Sequence, residues 1–234
     1  MRAVRRSALP KGVLARMANR QAAVDREPGR VEAIWSGSRK TQPIRAVFRT
    51  LQGMMGGTEH CMYCVHSHGS DIEHFWPKSP YPERAFVWEN LLLCCTECGR
   101  MKGSQFPLHN GRPLLVDPTV ENPWHHLDFD PMTGNIVARF VEEAPSAKGV
   151  ATATLLQLSR REALAIEYKK TWRRLCGLVE AGGARLVERL LEADDHGLLG
   201  WCFDGTGAGE APFAAWRARD PEGWNACAER VRLL

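Results

Sequence analysis

Two Cys-x-x-Cys knuckles, Cys61-Met-Tyr-Cys64 and Cys95-Thr-Glu-Cys98, lie close together in a chain of 234 residues. Each tight turn lets two thiolates reach one ion, and two turns complete a tetrahedral sulfur set, which suits Zn²⁺. A single knuckle would read equally as a redox pair. The chain starts Met-Arg-Ala-Val-Arg-Arg with no apolar segment after it, which predicts a cytoplasmic protein with reduced thiols. Two knuckles in that setting predict a structural zinc site held by Cys61, Cys64, Cys95 and Cys98. The remaining cysteines, Cys94, Cys176, Cys202 and Cys227, break the knuckle spacing or stand among apolar residues and read as buried thiols.

Between the knuckles runs Asp71-Ile-Glu-His-Phe-Trp-Pro-Lys78, which sets a carboxylate beside an imidazole. On a regular strand Glu73 and His74 point to opposite faces. They share one site only at a strand end or a kink, and Pro77 supplies such an irregularity.

The elements that must hold these groups follow from the flanking pattern. Residues before Pro77 read as a strand, Ala85-Phe-Val-Trp-Glu-Asn-Leu-Leu-Leu93 as a second strand, and Gly99-Arg-Met-Lys102 as the opening of a helix. The order is knuckle, strand, loop, strand, knuckle, helix. So small a core does not hold by burial alone, and a metal staple supplies what burial lacks.

Cys-x-x-Cys, then Glu-His, then Trp88-x-Asn90-Leu91, then Cys-x-x-Cys-x-x-x-Lys resembles the zinc-stapled HNH endonucleases of the ββα-metal fold. The likeness covers about residues 58–107. Pro10, Pro113-Leu-Leu-Val-Asp-Pro118, Leu127-Asp-Phe-Asp130 with Gly134, and Ala153-Thr-Leu-Leu-Gln-Leu-Ser-Arg-Arg161 resemble one HNH subgroup, the PtuB-type nucleases of Septu and retron–Septu antiviral defence systems. The resemblance implies metal-dependent hydrolysis of DNA phosphodiesters beside an ABC-type ATPase, PtuA.

It also implies roles for particular residues. His74 is the general base that takes a proton from the attacking water, and a histidine titrates in the useful range. The plain structural alternative is a buried imidazole bonded to backbone. Glu73 stands where the family has an acidic ligand for Mg²⁺ or Mn²⁺. Asn90 fixes the loop that carries the histidine by bonding its backbone; otherwise it is an ordinary turn residue. Lys102, and more weakly Arg100, lie near the nucleic-acid backbone or on a solvated helix face. Gly99 stands where the family has Asn or His, often a second metal ligand. Water, substrate phosphate, His66, His68 or Asp71 would have to replace it.

Composition bounds the rest. Hydrophobic residues make up 44% of the chain, enough for a core, which excludes a disordered, collagen-like or coiled-coil protein. No run approaches the roughly 20 apolar residues that a membrane span needs. The net charge of +4 is unevenly spread. Residues 1–60 carry 12 Lys/Arg against 4 Asp/Glu, residues 61–130 carry 5 against 9, and residues 131–234 carry 14 of each. A basic N-terminal arm therefore precedes an acidic centre, and it suits phosphates, a partner protein or a solvated helix face.

The expected fold class is α+β, in four segments. These are a basic arm with a helical piece (1–57), an HNH core (58–107), a loop and hairpin extension (108–150) and a helical region (151–234). In the last, Leu164, Tyr168, Trp172 and Leu175 recur at helical spacing. A helix is expected at about 184–193, a glycine-rich loop over 197–211 and a final helix over 212–233. Two other functions stay open. One is a catalytically weak, zinc-stapled module that docks on an ATPase or nucleic acid. The other is a stand-alone restriction-type HNH nuclease, against which no separate DNA-reading domain is seen.

Overall fold

A computed structural model describes residues 1–233 and contains two compact units. One unit comprises Arg6–Met62 and Ser67–Leu108. The other comprises Met1–Arg5, Tyr63–His66 and the described chain from His109 on.

In the first unit the expected arm is a packed helical layer. Helix α1 (Lys11–Arg26) buries Val13, Met17 and Val24, α2 (Val31–Ser38) buries Val31 and Trp35, and α3 (Gln42–Met54) buries Ile44, Val47, Leu51 and Met54. Apolar residues three, four and seven apart make one stripe per helix, and the arginines between them, such as Arg16 and Arg20, face water. Charge counting registered the outer face and overlooked the stripe. The boundary expected at 57/58 therefore does not separate compact units.

Strands β1 (Asp71–His74) and β2 (Leu91–Cys94) pair antiparallel, with Glu73 opposite Leu92 and His74 opposite Leu91. All four β2 residues are buried. This strand starts six residues later than the sequence pattern suggests. Pro82–Arg84 and Trp88–Asn90 form single 3₁₀ turns, and the Asn90 side chain bonds loop backbone that a strand would have used. Helix α4 (Thr96–Lys102) follows and starts three residues before Gly99. Its first turn is capped by the Cys95 sulfur, which accepts from the Cys98 N–H at 3.4 Å.

In the second unit, strands β3 (Leu127–Phe129) and β4 (Ile136–Ala138) form a hairpin. Gly134 in its turn has φ +84°, and a Cβ there would meet the Ala165 carbonyl oxygen at 2.2 Å, so only glycine fits. Helix α5 (Ala147–Leu155) and α6 (Glu162–Ala181) replace the single helical run, and α6 buries Leu164, Tyr168, Trp172 and Leu175. Helix α7 (Leu186–Ala193) is followed by α8 (Leu198–Asp204), where a loop was expected. Leu198, Leu199, Trp201 and Cys202 are buried, and that burial outweighs the helix-weakening Gly200. The final helix breaks at Asp220 into α9 (Phe213–Arg219) and α10 (Pro221–Leu233), because Pro221 suits a helix start and interrupts a helix interior. Trp124, Trp201, Phe213 and Trp216 are among the largest fully buried side chains of this core. Among the described residues, no helix is long and apolar enough to cross a membrane.

Candidate functional site

The thiols of Cys61, Cys64, Cys95 and Cys98 are all buried and lie within 4.8 Å of one another. With Zn–S bonds of about 2.3 Å, one ion reaches all four after small shifts. The turns that aim them are built locally. The Cys61 N–H donates to Ser67 O at 2.8 Å, and Val65 takes φ +47°, which closes the first knuckle. The Met62 N–H donates to Leu93 O at 2.9 Å, tying that turn to β2. The donor set fits zinc. Cys94 is buried with its sulfur 4.0 Å from that of Cys61.

A cleft of about 670 Å³ opens over β1 and α4. Glu73, His74, Lys78, Arg39, Gly99 and Arg100 all line it. His74 is 4% exposed, and its Nε2 lies 3.0 Å from the Ala85 carbonyl oxygen. A carbonyl only accepts, so Nε2 carries the proton and Nδ1 keeps the lone pair. Burial pushes the imidazole pKa down to about 3; Lys78 and Lys102 push the same way and the Ala85 contact opposes them. The ring is therefore neutral, and a proton acceptor, throughout the physiological range. The Trp35 indole packs edge-on against it, with centroids 4.3 Å apart. The imidazole is thus bonded to backbone and also lines the cleft.

Asn90 is 3% exposed and is a three-way clamp. Its Oδ1 accepts from the Trp76 N–H at 2.7 Å, and its Nδ2 donates to Trp76 O at 3.0 Å and to Arg84 O at 2.9 Å. Arg84 precedes Ala85, whose carbonyl holds His74. One amide therefore ties the chain after His74 to the chain before its hydrogen-bond partner.

Lys102 is not at a nucleic-acid-facing surface. It is wholly buried, and its Nζ donates to Glu73 Oε1 and to the His74 carbonyl oxygen, each at 2.8 Å. Its place on the inner face of α4, one turn beyond Cys98, aims the ammonium at β1. Arg100, on the outer face, is exposed and lines the cleft. Burial raises the Glu73 carboxyl above the ordinary range, and Lys102 pulls the other way.

The residues around Glu73 do not fit a protein-held Mg²⁺ or Mn²⁺. Mg²⁺ takes six oxygen ligands and is commonly held by one or two carboxylates together with waters and substrate phosphates. Here there is one carboxylate with an oxygen on Lys102, and Gly99 adds no donor. Asp71, in the same cleft, is bonded by Arg39 at 2.6 and 2.7 Å. His68 lies 3.9 Å from Glu59, and His66 stacks on His196 at 5.9 Å. Among the described residues, the four cysteines are the one group of three or more His, Cys, Asp or Glu donors gathered closely enough for an ion.

Sequence reading missed three contributors. Trp35 comes from the supposed arm, and no local signal tied it to His74. Arg39 comes from the end of α2. Lys78, four residues after His74 and 3.2 Å from Glu32, was visible in the motif but not distinguished from a loop residue.

No family model matches the chain. The chain is similar to Septu protein PtuB of Bacillus thuringiensis, with 28% identity over 141 residues. That alignment covers 58% of this chain and 48% of the relative, so the chain spans about half the length of the curated protein it matches.

Proposed function

We propose, from the likeness to Septu protein PtuB, that this chain is an HNH endonuclease that cleaves DNA as the nuclease component of an anti-phage defence complex, with an ABC-type ATPase as partner. The hairpin β1–β2 followed by α4, with the thiolate cluster at its base, is read as the ββα-metal core of that family. The observation that carries the reading is His74. It is a neutral imidazole oriented by the Ala85 carbonyl, in a loop clamped by Asn90, beside a cleft lined by Arg39, Lys78 and Arg100.

The chemistry follows from these groups. A water oxygen attacks phosphorus and its proton passes to Nδ1 of His74. The bond from phosphorus to the leaving oxygen breaks, and that oxygen takes a proton from solvent. Arg39, Lys78 and Arg100 offset the charge on the non-bridging oxygens. Trp35 shields one side of the imidazole from water. The zinc cluster holds the strand pair to the helix and takes no part in the reaction. No step is assigned to Mg²⁺ or Mn²⁺ at Glu73, because the donors there do not make an ion site.

One observation favours a second reading, a zinc-stapled module that docks on an ATPase or nucleic acid without cutting. Glu73 is neutralised by Lys102, and position 99 offers no ligand.

The test is plasmid cleavage by the zinc-replete protein with Mg²⁺ or Mn²⁺, with and without the co-purified ATPase. His74→Ala should lower the rate by about 10² or more while zinc content and melting temperature hold. Equal cutting by the substituted protein removes the general-base assignment. Absence of cutting by the wild type with the ATPase present favours the docking module.

A further inference from the structure

Two hydrogen bonds fix the Lys102 ammonium in a position closed to water: one to Glu73 Oε1 and one to the His74 carbonyl, both 2.8 Å long. The other carboxylate oxygen, Oε2, faces the backbone of Gly99. A Cβ placed there would lie 3.6 Å from Oε2 and 3.8 Å from the Cys94 sulfur, in ordinary contact with both. Gly99 has no positive φ that would require glycine, and it sits inside α4, where glycine weakens a helix. Nothing in the backbone explains it. What it does is leave the Oε2 side open to the cleft, with no side chain to complete a ligand set.

We propose that Lys102 is the resident cation of this centre, so that Glu73 binds no divalent ion in this protein. Charge decides the matter. One carboxylate and one ammonium sum to zero, so a divalent ion entering beside Oε2 meets no net negative charge and is repelled by the nearby ammonium. It would also have to take nearly all its other ligands from water. The occupancy of Glu73 by Lys102 does not depend on the nuclease reading.

The experiment is Mn²⁺ binding to the full, zinc-replete chain, followed by electron paramagnetic resonance. Wild type should show no Mn²⁺ site that Glu73→Gln removes. Lys102→Met should bind Mn²⁺ about tenfold or more tightly than wild type, and Lys102→Arg should not. Because removing a buried lysine can unfold the protein, Gly99→Asp is the second variant. It leaves Lys102 in place, adds a carboxylate facing Oε2 and should also bind Mn²⁺. A tight Mn²⁺ site in wild type alone that Glu73→Gln abolishes overturns the proposal, and so does failure of every folded variant to gain one. Gain of Mn²⁺ by the variants with no cleavage by any form upholds Lys102 as resident cation and removes the nuclease reading.

Discussion

The four-cysteine cluster and the Glu73–His74 cleft both draw on the segment from the end of β2 into α4, yet they are built on opposite electrostatic plans. The cluster gathers four buried sulfur donors within 4.8 Å of one another. Four thiolates packed so closely repel one another unless a cation joins them, so the donor set suits an ion. The cleft gathers one carboxylate and answers it internally with Lys102 at 2.8 Å. Which residues can bind a metal is a matter of type, but whether a centre needs one is a matter of the net charge the fold leaves there.

The largest expected effect tests the cluster. Cys95→Ser should lose the zinc, and much of the roughly 10–16 kcal/mol that binds such an ion would leave the folding balance. The protein should become insoluble or protease-sensitive, as measured by metal content and limited proteolysis. A folded Cys95→Ser protein that keeps one equivalent of zinc would sink the four-cysteine site.

The cleft pair should behave differently. Glu73→Leu strands a buried ammonium and should destabilise by about 3–5 kcal/mol in urea unfolding, whereas the double change Glu73→Leu with Lys102→Met should recover most of that loss. If the double variant is no more stable than Glu73→Leu alone, Lys102 is not held by charge and the contrast between the centres fails.

Acid should also separate them. The folded-state pKa of His74 is about 3, below the unfolded value near 6.5. Its neutral burial therefore contributes stability that is present above about pH 6.5 and lost as pH falls from there toward about 3. His74→Gln should flatten that part of the stability curve. An unchanged slope would mean that the imidazole takes up its proton in the folded state.

Asn90→Ala removes three hydrogen bonds and should cost about 1–3 kcal/mol, with loss of any cleavage because Ala85 no longer holds the imidazole in place. The smallest effect is expected at Arg100→Ala, within about 0.5 kcal/mol of wild type in stability, with weaker binding to nucleic acid. Equal losses of stability at positions 100 and 102 would contradict the inner and outer faces assigned to α4.

Legibility followed range. The knuckles could be read because Cys-x-x-Cys spacing is a local geometric statement, and the strand before Pro77 because its signals are adjacent. Of α1, α2 and α3 the sequence pattern showed only a helical piece in a basic arm, because arginines break up their apolar stripes. The start of β2 was misplaced because the side chain of Asn90 outbids the strand for loop backbone, a contest that apolar counting does not register. Helix α8 was obscured by its glycines, although its buried leucines and Trp201 decide the outcome. Arg100 and Lys102 illustrate the limit most plainly. Two residues apart on one short helix, they carry the same charge, and no pattern in the segment separates the solvent-facing one from the buried one.

By itself the sequence determined the inventory: four sulfur donors in two turns, one acid beside one imidazole, an amide to follow, and glycine where a ligand could stand. Those are properties of residue type and short spacing. The tertiary structure alone decided that Trp35 covers His74 and that Lys102 claims Glu73. Burial and partnership arise between residues tens of positions apart, and at those distances the local chain imposes no geometry.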